Sequence, residues 1–202
     1  MNTKIKIIAI CGSLRENSLT RRALEICLKG AEQAGVETLL IDLRTYSLVF
    51  CDGNALNEYP EDVLKLRQQV KNADGVILGT PEYHGSYSGV LKNALDLMGF
   101  EEFEGKMIGL VGVSAGALGA NNAISTLRSV GRSLHAWVVP DQVSIPLADA
   151  VFAGDNVEAD TEKRLLNLGR QVARFSYLHS STHAQEFIQA WEAAPSNPGA
   201  QY

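Results

Sequence analysis

The sequence lacks several features that would assign the protein to a specialised class. It has three cysteines in 202 residues, Cys11, Cys27 and Cys51, an odd number without the spacing of a metal site. No apolar run approaches the length of a membrane span, and residues 1–10 are too short and too strand-like for a signal peptide. These absences predict a reduced, cytoplasmic protein with no membrane contact and no bound metal.

Positive charge is also scarce. The chain carries 18 Lys and Arg against 23 Asp and Glu, a net charge of -5, and it has no basic block. Nucleic acid is therefore not an expected partner. The sequence has no internal repeat and no low-complexity linker, so its length predicts one domain over residues 1–202. The C-terminal residues 195–202 are expected to form a flexible tail.

Short apolar runs alternate with helical patterns along the chain. The predicted strands cover 5–10, 38–43, 75–79 and 107–113, with a fifth that starts at 136–139. The predicted helices cover 19–34, 61–73, 89–98, 121–134, 160–177 and 183–194. This alternation predicts an α/β fold, a doubly wound sheet of five parallel strands. Spacing alone leaves open the flavodoxin-like strand order 2-1-3-4-5 and a Rossmann half.

The loop after the first strand has the composition of a phosphate site. Ser13, Ser18 and Thr20 surround the start of a helix, where backbone N–H groups are unpaired and the helix dipole is positive. Arg15 offers a guanidinium that can hold two phosphate oxygens. The alternative is an ordinary helix capped by Ser18. Because the loop has neither three spaced glycines nor a Walker pattern, it favours a mononucleotide.

The loop after the third strand suits a flat ring with a polar edge. Pro81 stiffens the exit from the strand, and Gly85 and Gly89 allow close approach of the backbone to a ligand. Tyr83 could instead pack at a surface or an interface, and Glu82 could cap a helix or form an ion pair. Together the two loops indicate bound flavin mononucleotide (FMN) and redox chemistry.

These motifs resemble those of a known family. Residues 12–15 with Ser18, residues 81–83 and residues 91–96 are similar to the NADPH-dependent FMN reductases, which include flavin, azo-dye, quinone and chromate reductases. The resemblance runs from about residue 5 to 139. It implies a flavodoxin-like three-layer fold with order 2-1-3-4-5, non-covalent FMN, NADPH as co-substrate, and a homodimer or homotetramer.

The resemblance also implies the cofactor contacts. The phosphate is expected near Ser13, Arg15, Ser18, Leu19 and Thr20, and the ribityl chain and ring near Pro81, Glu82, Tyr83, His84 and Gly85. Many family members have Asn in place of His84, and Pro-Gly in place of Ser88-Gly89. A backbone contact at position 84 would survive that change, whereas a side-chain amide contact would not. We interpret His84 as a residue at the rim of the site with no chemical part.

A third loop allows two interpretations. Gly112-x-Ser114-x-Gly116 matches the nucleophile elbow of α/β-hydrolases. A hydrolase also needs a later acid and then a histidine, and the candidates are Asp149, Asp155, His179 and His183. Alternatively, Ser114, Ala115 and Gly116 supply backbone amides to the edge of the flavin. We favour the flavin interpretation because the hydrolase leaves the first loop unexplained.

The expected reaction uses the flavin itself for hydride transfer, so no catalytic side chain is named. NADPH reduces the bound FMN, leaves, and is replaced by a small-molecule acceptor in a ping-pong cycle. The acceptor is a flavin, quinone, azo compound or metal oxyanion. Tyr46, Phe50 and Tyr59 of the loop 44–60 either shape an acceptor pocket or contact a partner subunit. The main rival function is a flavodoxin-type electron carrier, which the mild negative charge and Arg15 disfavour.

Overall fold

The computed structural model describes residues 4–54, 58–180 and 182–193. The strands are β1 Lys6–Cys11, β2 Glu37–Asp42, β3 Gly75–Tyr83, β4 Ser86–Tyr87, β5 Met107–Val113 and β6 Trp137–Ile145. The helices are α1 Leu19–Glu32, α2 Glu61–Lys71, α3 Gly89–Asp96, α4 Phe100–Phe103, α5 Asn121–Ser133, α6 Ala148–Val151, α7 Ala159–Ser180 and α8 Thr182–Glu192. Each predicted helix is present to within a few residues at its ends. The short helices α4 and α6 were not predicted.

The long strands form one sheet in the order β2-β1-β3-β5-β6, and every neighbouring pair is parallel. Because β4 only adds a short antiparallel partner to the end of β3, this order confirms the predicted 2-1-3-4-5 arrangement. The prediction for β3 was too short. The strand continues from Gly79 to Tyr83, and its Pro81 still pairs in register with Val113 of β5.

Helices cover both faces of the sheet and make the three-layer arrangement. Successive side chains of β1 point to opposite faces, as the pleat of a strand requires. Ile7 and Ala9 lie in the core beneath α1 and α7. Ile8 and Ile10 lie in the opposite core, with residues of α2, α3 and α5. All four side chains are fully buried, so the central strand is apolar on both faces, as expected for a parallel sheet.

Helices α1 and α7 touch through their backbones at two glycines. A Cβ atom on Gly30 of α1 would lie closer than 3.0 Å to the carbonyl oxygen of Leu166. A Cβ atom on Gly169 of α7 would lie equally close to the carbonyl oxygen of Cys27. Real Cβ atoms essentially never show such separations. The position of α1, and therefore of the loop at its N-terminus, depends on both residues remaining glycine.

Two further sequence expectations concern the ends of the chain and the membrane. The predicted tail at 195–202 lies outside the described residues. Among the helices in the described part of the chain, none is long and apolar enough to cross a membrane.

Candidate functional site

The loops that follow β1, β3, β5 and β6 meet at the carboxyl edge of the sheet and enclose a cavity of about 210 Å³. Its lining consists of Ser13, Arg15, Leu19, Thr20, Pro81, Glu82, Tyr83, Val113, Ala115, Ala148 and Asp149. Eight of the thirteen residues named from the sequence are among them. The other five, Ser18, His84, Gly85, Ser114 and Gly116, belong to the same loops but do not line the cavity.

Larger cavities lie elsewhere, so size alone does not identify the site. One, of about 610 Å³, is lined by Arg128, Arg132 and Trp137 at the start of β6, the opposite end of the sheet. Another, of about 450 Å³, lies between the loop after β2 and α3 and is lined partly by Tyr46 and Phe50. We place the site in the cavity of about 210 Å³ because it combines a helix N-terminus, buried hydroxyls and a cation that pairs with no residue in the described ranges. Ligands in open α/β sheets bind at this edge.

The start of α1 is built to receive an anion. Ser18 is the N-cap, and its hydroxyl accepts a hydrogen bond of 3.1 Å from the Arg21 N–H, so the capping role is confirmed. The N–H groups of Leu19 and Thr20, at the first two helical positions, have no acceptor within the helix. The hydroxyl-bearing side chains of Ser13 and Thr20 are buried beside them. These groups are the donors that a phosphate requires.

Arg15 is the cation available at this helix end. Its side chain is exposed and makes no hydrogen bond or ion pair with any residue in the described ranges, although its backbone N–H contacts the Ser13 hydroxyl. Two neighbouring arginines are already engaged, because Arg21 and Arg44 both pair with Asp42, at 3.2 and 3.0 Å. Burial would raise the pKa of that carboxyl, but its hydrogen bonds from Arg44 and Arg21 lower the pKa further.

Cys11 lies directly beneath the loop. Its Sγ atom is 3.9 Å from the carbonyl oxygen of Ser13 and 3.9 Å from the hydroxyl of Ser18. Burial raises the pKa of this thiol, so it is uncharged at neutral pH. A neutral thiol adds no negative charge under the place where an anion would bind.

Ser88 connects the first two loops, and sequence reasoning missed this. It caps α3 by accepting from the Leu91 N–H. Its hydroxyl donates to the Gly12 carbonyl at 2.6 Å, and its backbone N–H donates to the Thr80 hydroxyl at 2.9 Å. A serine just before a helix signals a cap, but the contact with a loop 76 residues earlier has no local signal.

The second loop is a β-hairpin, and this explains two of its residues. Glu82 accepts a hydrogen bond of 3.1 Å from the Ala123 N–H in the first turn of α5, so the capping interpretation of Glu82 is confirmed. His84 and Gly85 form the two-residue turn between the paired residues Tyr83 and Ser86, with φ of 52° and 78°. Turns with two positive φ values favour Asn-Gly, and His also tolerates this conformation better than most residues.

We therefore expect the positive φ of the turn to decide which residue types are tolerated at position 84. His84→Asn should leave the free energy of unfolding nearly unchanged, since Asn adopts positive φ readily. His84→Val should lower it by about 1–2 kcal/mol, because a β-branched side chain resists that conformation. Thermal unfolding of the two variants beside the wild type measures the difference. Equal stability of the two variants would contradict this role for the turn.

The third loop is bound to the loop after β6 by backbone hydrogen bonds. The Ala148 N–H donates to the Ser114 carbonyl at 3.0 Å, and the Leu147 N–H donates to the Gly116 carbonyl at 3.2 Å. This pairing brings Ala148 and Asp149 into the cavity lining. Neither residue was predicted as part of the flavin site, because their approach depends on the sheet order; Asp149 was named only as a candidate acid of the alternative hydrolase.

The hydrolase interpretation does not fit this geometry. Ser114 follows the carboxyl end of β5, whereas His179 lies near Gly105, just before β5 begins. The Ser114 hydroxyl accepts from the Gly116 N–H, and Ser114 lacks the positive φ found at three other non-glycine residues of the described chain. The side chain of His183 lies outside the described residues.

Comparison with known proteins identifies the family. Residues 5–150 match the family described as NADPH-dependent FMN reductase. The chain belongs to this family. An FMN-dependent NADPH-azoreductase of Staphylococcus aureus is 35% identical over 144 residues, which cover 69% of this chain and 76% of the relative. The protein is accordingly a flavin-dependent NAD(P)H oxidoreductase that uses FMN, with NADPH as electron donor.

Solved structures support the same conclusion. An NADH:FMN oxidoreductase (EMOB, apo form) superposes with a TM-score of 0.70 at 26% identity, covering 89% of this chain and 93% of that chain. An archaeal flavodoxin, at 15% identity and a TM-score of 0.60, covers 85% of this chain and 99% of its own, and it shows the fold alone. The flavodoxin-like fold is thus confirmed.

The residues present fit FMN. A Cβ atom on Gly12 would lie 2.7 Å from the Cβ of Leu91, so the loop packs against α3 more closely than any residue but glycine allows. The buried hydroxyls and Arg15 suit the phosphate. The ring would lie against the hairpin, where Tyr83 is about half exposed.

Proposed function

We propose that the protein passes hydride from NADPH through bound FMN to a small-molecule acceptor in a ping-pong cycle. When bound, FMN supplies the hydride chemistry. The protein's residues bind the cofactor and orient it. Arg15, Ser13 and Thr20 hold the phosphate with the N–H groups that start α1, and Pro81, Tyr83 and Ala115 contact the ring. The observation that carries this proposal is that Arg15, whose side chain pairs with no described residue, lies beside a capped helix N-terminus in the same cavity as the hairpin.

The first test asks whether NADPH alone reduces the flavin. Mixing the FMN-loaded protein with NADPH without oxygen should bleach the flavin absorbance in a stopped-flow experiment. An electron carrier of the flavodoxin type would stay oxidised under the same conditions. Running NADH in parallel measures the preference between the two nicotinamides.

The second test concerns the order of the two substrates. Because one cavity serves both, the donor must leave before the acceptor binds. Initial rates at several fixed NADPH concentrations should give parallel double-reciprocal lines. Intersecting lines would mean that both substrates bind at once, and the cavity beside Tyr46 and Phe50 would then be the first place to look. Tyr59 is not part of that cavity, since it is buried with Val63 and Leu97 and donates to Asp52.

Ser114→Ala tests the rejected hydrolase function. We expect turnover with NADPH within about twofold of the wild type, because the loop would contribute backbone groups that the substitution keeps. The lost hydrogen bond from Gly116 should cost stability of only about 0.5–1.5 kcal/mol. If the wild type hydrolyses an activated ester and this variant does not, Ser114 acts as a nucleophile and the hydrolase interpretation is correct.

The cellular setting and the assembly are also part of the proposal. Cys11 and Cys27 are free and buried, as expected for a reduced cytoplasmic protein. A homodimer or homotetramer would cover exposed apolar side chains such as Phe50. Light scattering of the purified protein at several concentrations tests the assembly directly.

A further inference from the structure

The cavity carries a surplus of negative charge beside its one cation. Its lining has one cation, Arg15, and two carboxylates, Glu82 and Asp149. Glu82 is engaged by the Ala123 N–H of α5. Asp149 is exposed and has no hydrogen bond or ion pair with another residue in the part of the chain that the structure describes. Once a dianionic phosphate occupies Arg15, the remaining charges of the site are negative.

The mouth of the cavity is apolar. Each of the four loops at this edge presents a large exposed apolar or aromatic side chain. They are Leu14, 53% exposed, Tyr83, 49%, Leu118, 93%, and Leu147, 51%. Leu14, Tyr83 and Leu147 each belong to or adjoin the lining, and Leu118 is at the tip of the loop that holds Ala115. We call these four residues the apolar rim. Exposed apolar patches of this kind mark ligand-binding sites.

We infer that the apolar rim and Asp149 select uncharged, flat aromatic acceptors, such as neutral quinones, and discriminate against oxyanions and anionic aromatic compounds. This inference rests on the proposed function and names the substrate class of the same site. In each turnover NADPH gives up a hydride, which carries two electrons and one proton. The quinone gains both electrons and two protons, one of them from solvent, and becomes a hydroquinone. The dihydronicotinamide ring of NADPH is itself uncharged, so the same rim accepts the donor.

The selection follows from elementary electrostatics. A carboxylate several ångströms from an incoming anion repels it, and the repulsion is stronger beside an apolar surface than in bulk water. A neutral ring does not experience this repulsion and gains free energy from covering the rim. Oxyanions such as chromate gain nothing from apolar contacts and are repelled by Asp149. The two features therefore act in the same direction.

The test compares two quinones that differ chiefly in charge, neutral 2-methyl-1,4-naphthoquinone and anionic 1,2-naphthoquinone-4-sulfonate. Reoxidation of the NADPH-reduced, FMN-loaded protein isolates the acceptor step. In Asp149→Asn the second-order rate constant for the anionic quinone should rise about three- to tenfold at low salt, and that for the neutral quinone should stay the same. Asp155→Asn is the matched control, because it removes the same charge from an exposed position outside the cavity lining.

A binding measurement provides a readout independent of turnover. Unreactive naphthalene-2-sulfonate should perturb the flavin absorbance of Asp149→Asn at about three- to tenfold lower concentration than in the wild type. If both quinones are reduced but Asp149→Asn changes neither the ratio of their rate constants nor the binding of the sulfonate, this inference is overturned and the proposed function is not. A wild-type flavin that NADPH cannot reduce would overturn the proposed function as well.

The apolar rim is tested separately. Leu118→Ser should raise the KM for the neutral quinone about three- to tenfold and leave that for ferricyanide unchanged, because a strongly hydrated complex anion does not use apolar contacts. Leu178→Ser, an exposed leucine on α7, is the control and should leave both KM values unchanged. An equal rise in KM for both acceptors in Leu118→Ser would overturn the role of the rim.

Discussion

Replacing Gly169 by alanine is expected to lower the free energy of unfolding by about 3 kcal/mol or more. The added Cβ would collide with the carbonyl oxygen of Cys27, a backbone atom of α1 that no rotamer change can move away. Relief therefore requires α7 to separate from α1 along their whole contact. For a chain of this size the midpoint of thermal unfolding should fall by roughly 6–12 °C.

The matched control is Gly89→Ala at the start of α3. A Cβ atom there meets no heavy atom within 4 Å, so the same chemical change should leave stability unchanged or slightly raised. Both variants should be measured without FMN, because a bound cofactor stabilises the folded state by itself. An unfolding midpoint of Gly169→Ala equal to that of the wild type would mean that the two helices are not in backbone contact.

Arg15→Ala is expected to weaken FMN binding about ten- to a hundredfold while the fold remains intact. A hydrogen bond to a charged group contributes about 1.5–3 kcal/mol, and the exposed side chain of Arg15 makes no hydrogen bond or ion pair in the described residues that its loss would disturb. Quenching of flavin fluorescence on binding measures the dissociation constant. Because riboflavin has no phosphate, its affinity should change much less.

Arg132→Ala provides the control for net charge. Arg132 is exposed on the last turn of α5 and lines the cavity at the opposite end of the sheet. The variant should bind FMN like the wild type. Equal losses of FMN and riboflavin affinity in Arg15→Ala would instead place that side chain against the ring.

Local signals account for the parts of the site that the sequence predicted. The N-cap at Ser18, the apolar β1 strand and the helix that follows are all specified by residues close to one another in the chain, so the α1 end of the cavity could be predicted. The strand order followed from the family resemblance. Pro81 misled the prediction for β3, because a proline usually ends a strand, whereas here pairing with β5 keeps the chain extended.

Long-range contacts account for what was missed. Asp149 enters the lining only because β6 lies beside β5 and its loop bonds to the loop at Ser114. The role of position 84 depends on the hairpin, since a positive φ is required only when β4 pairs with β3. Gly85 is a local signal of a turn, but the approach of Asp149 leaves no mark in the neighbouring sequence and needed the three-dimensional structure.

The hydrogen bonds of Ser88 set the distance between the phosphate loop and the hairpin before any cofactor arrives. The Ser88 hydroxyl donates to the Gly12 carbonyl of the first loop, and the Ser88 backbone N–H donates to the Thr80 hydroxyl of β3. Little conformational entropy then remains to be lost when a ligand binds. We therefore expect the two loops to favour one phosphate-to-ring distance, and a nucleotide whose span differs from that of FMN to occupy only one end of the site.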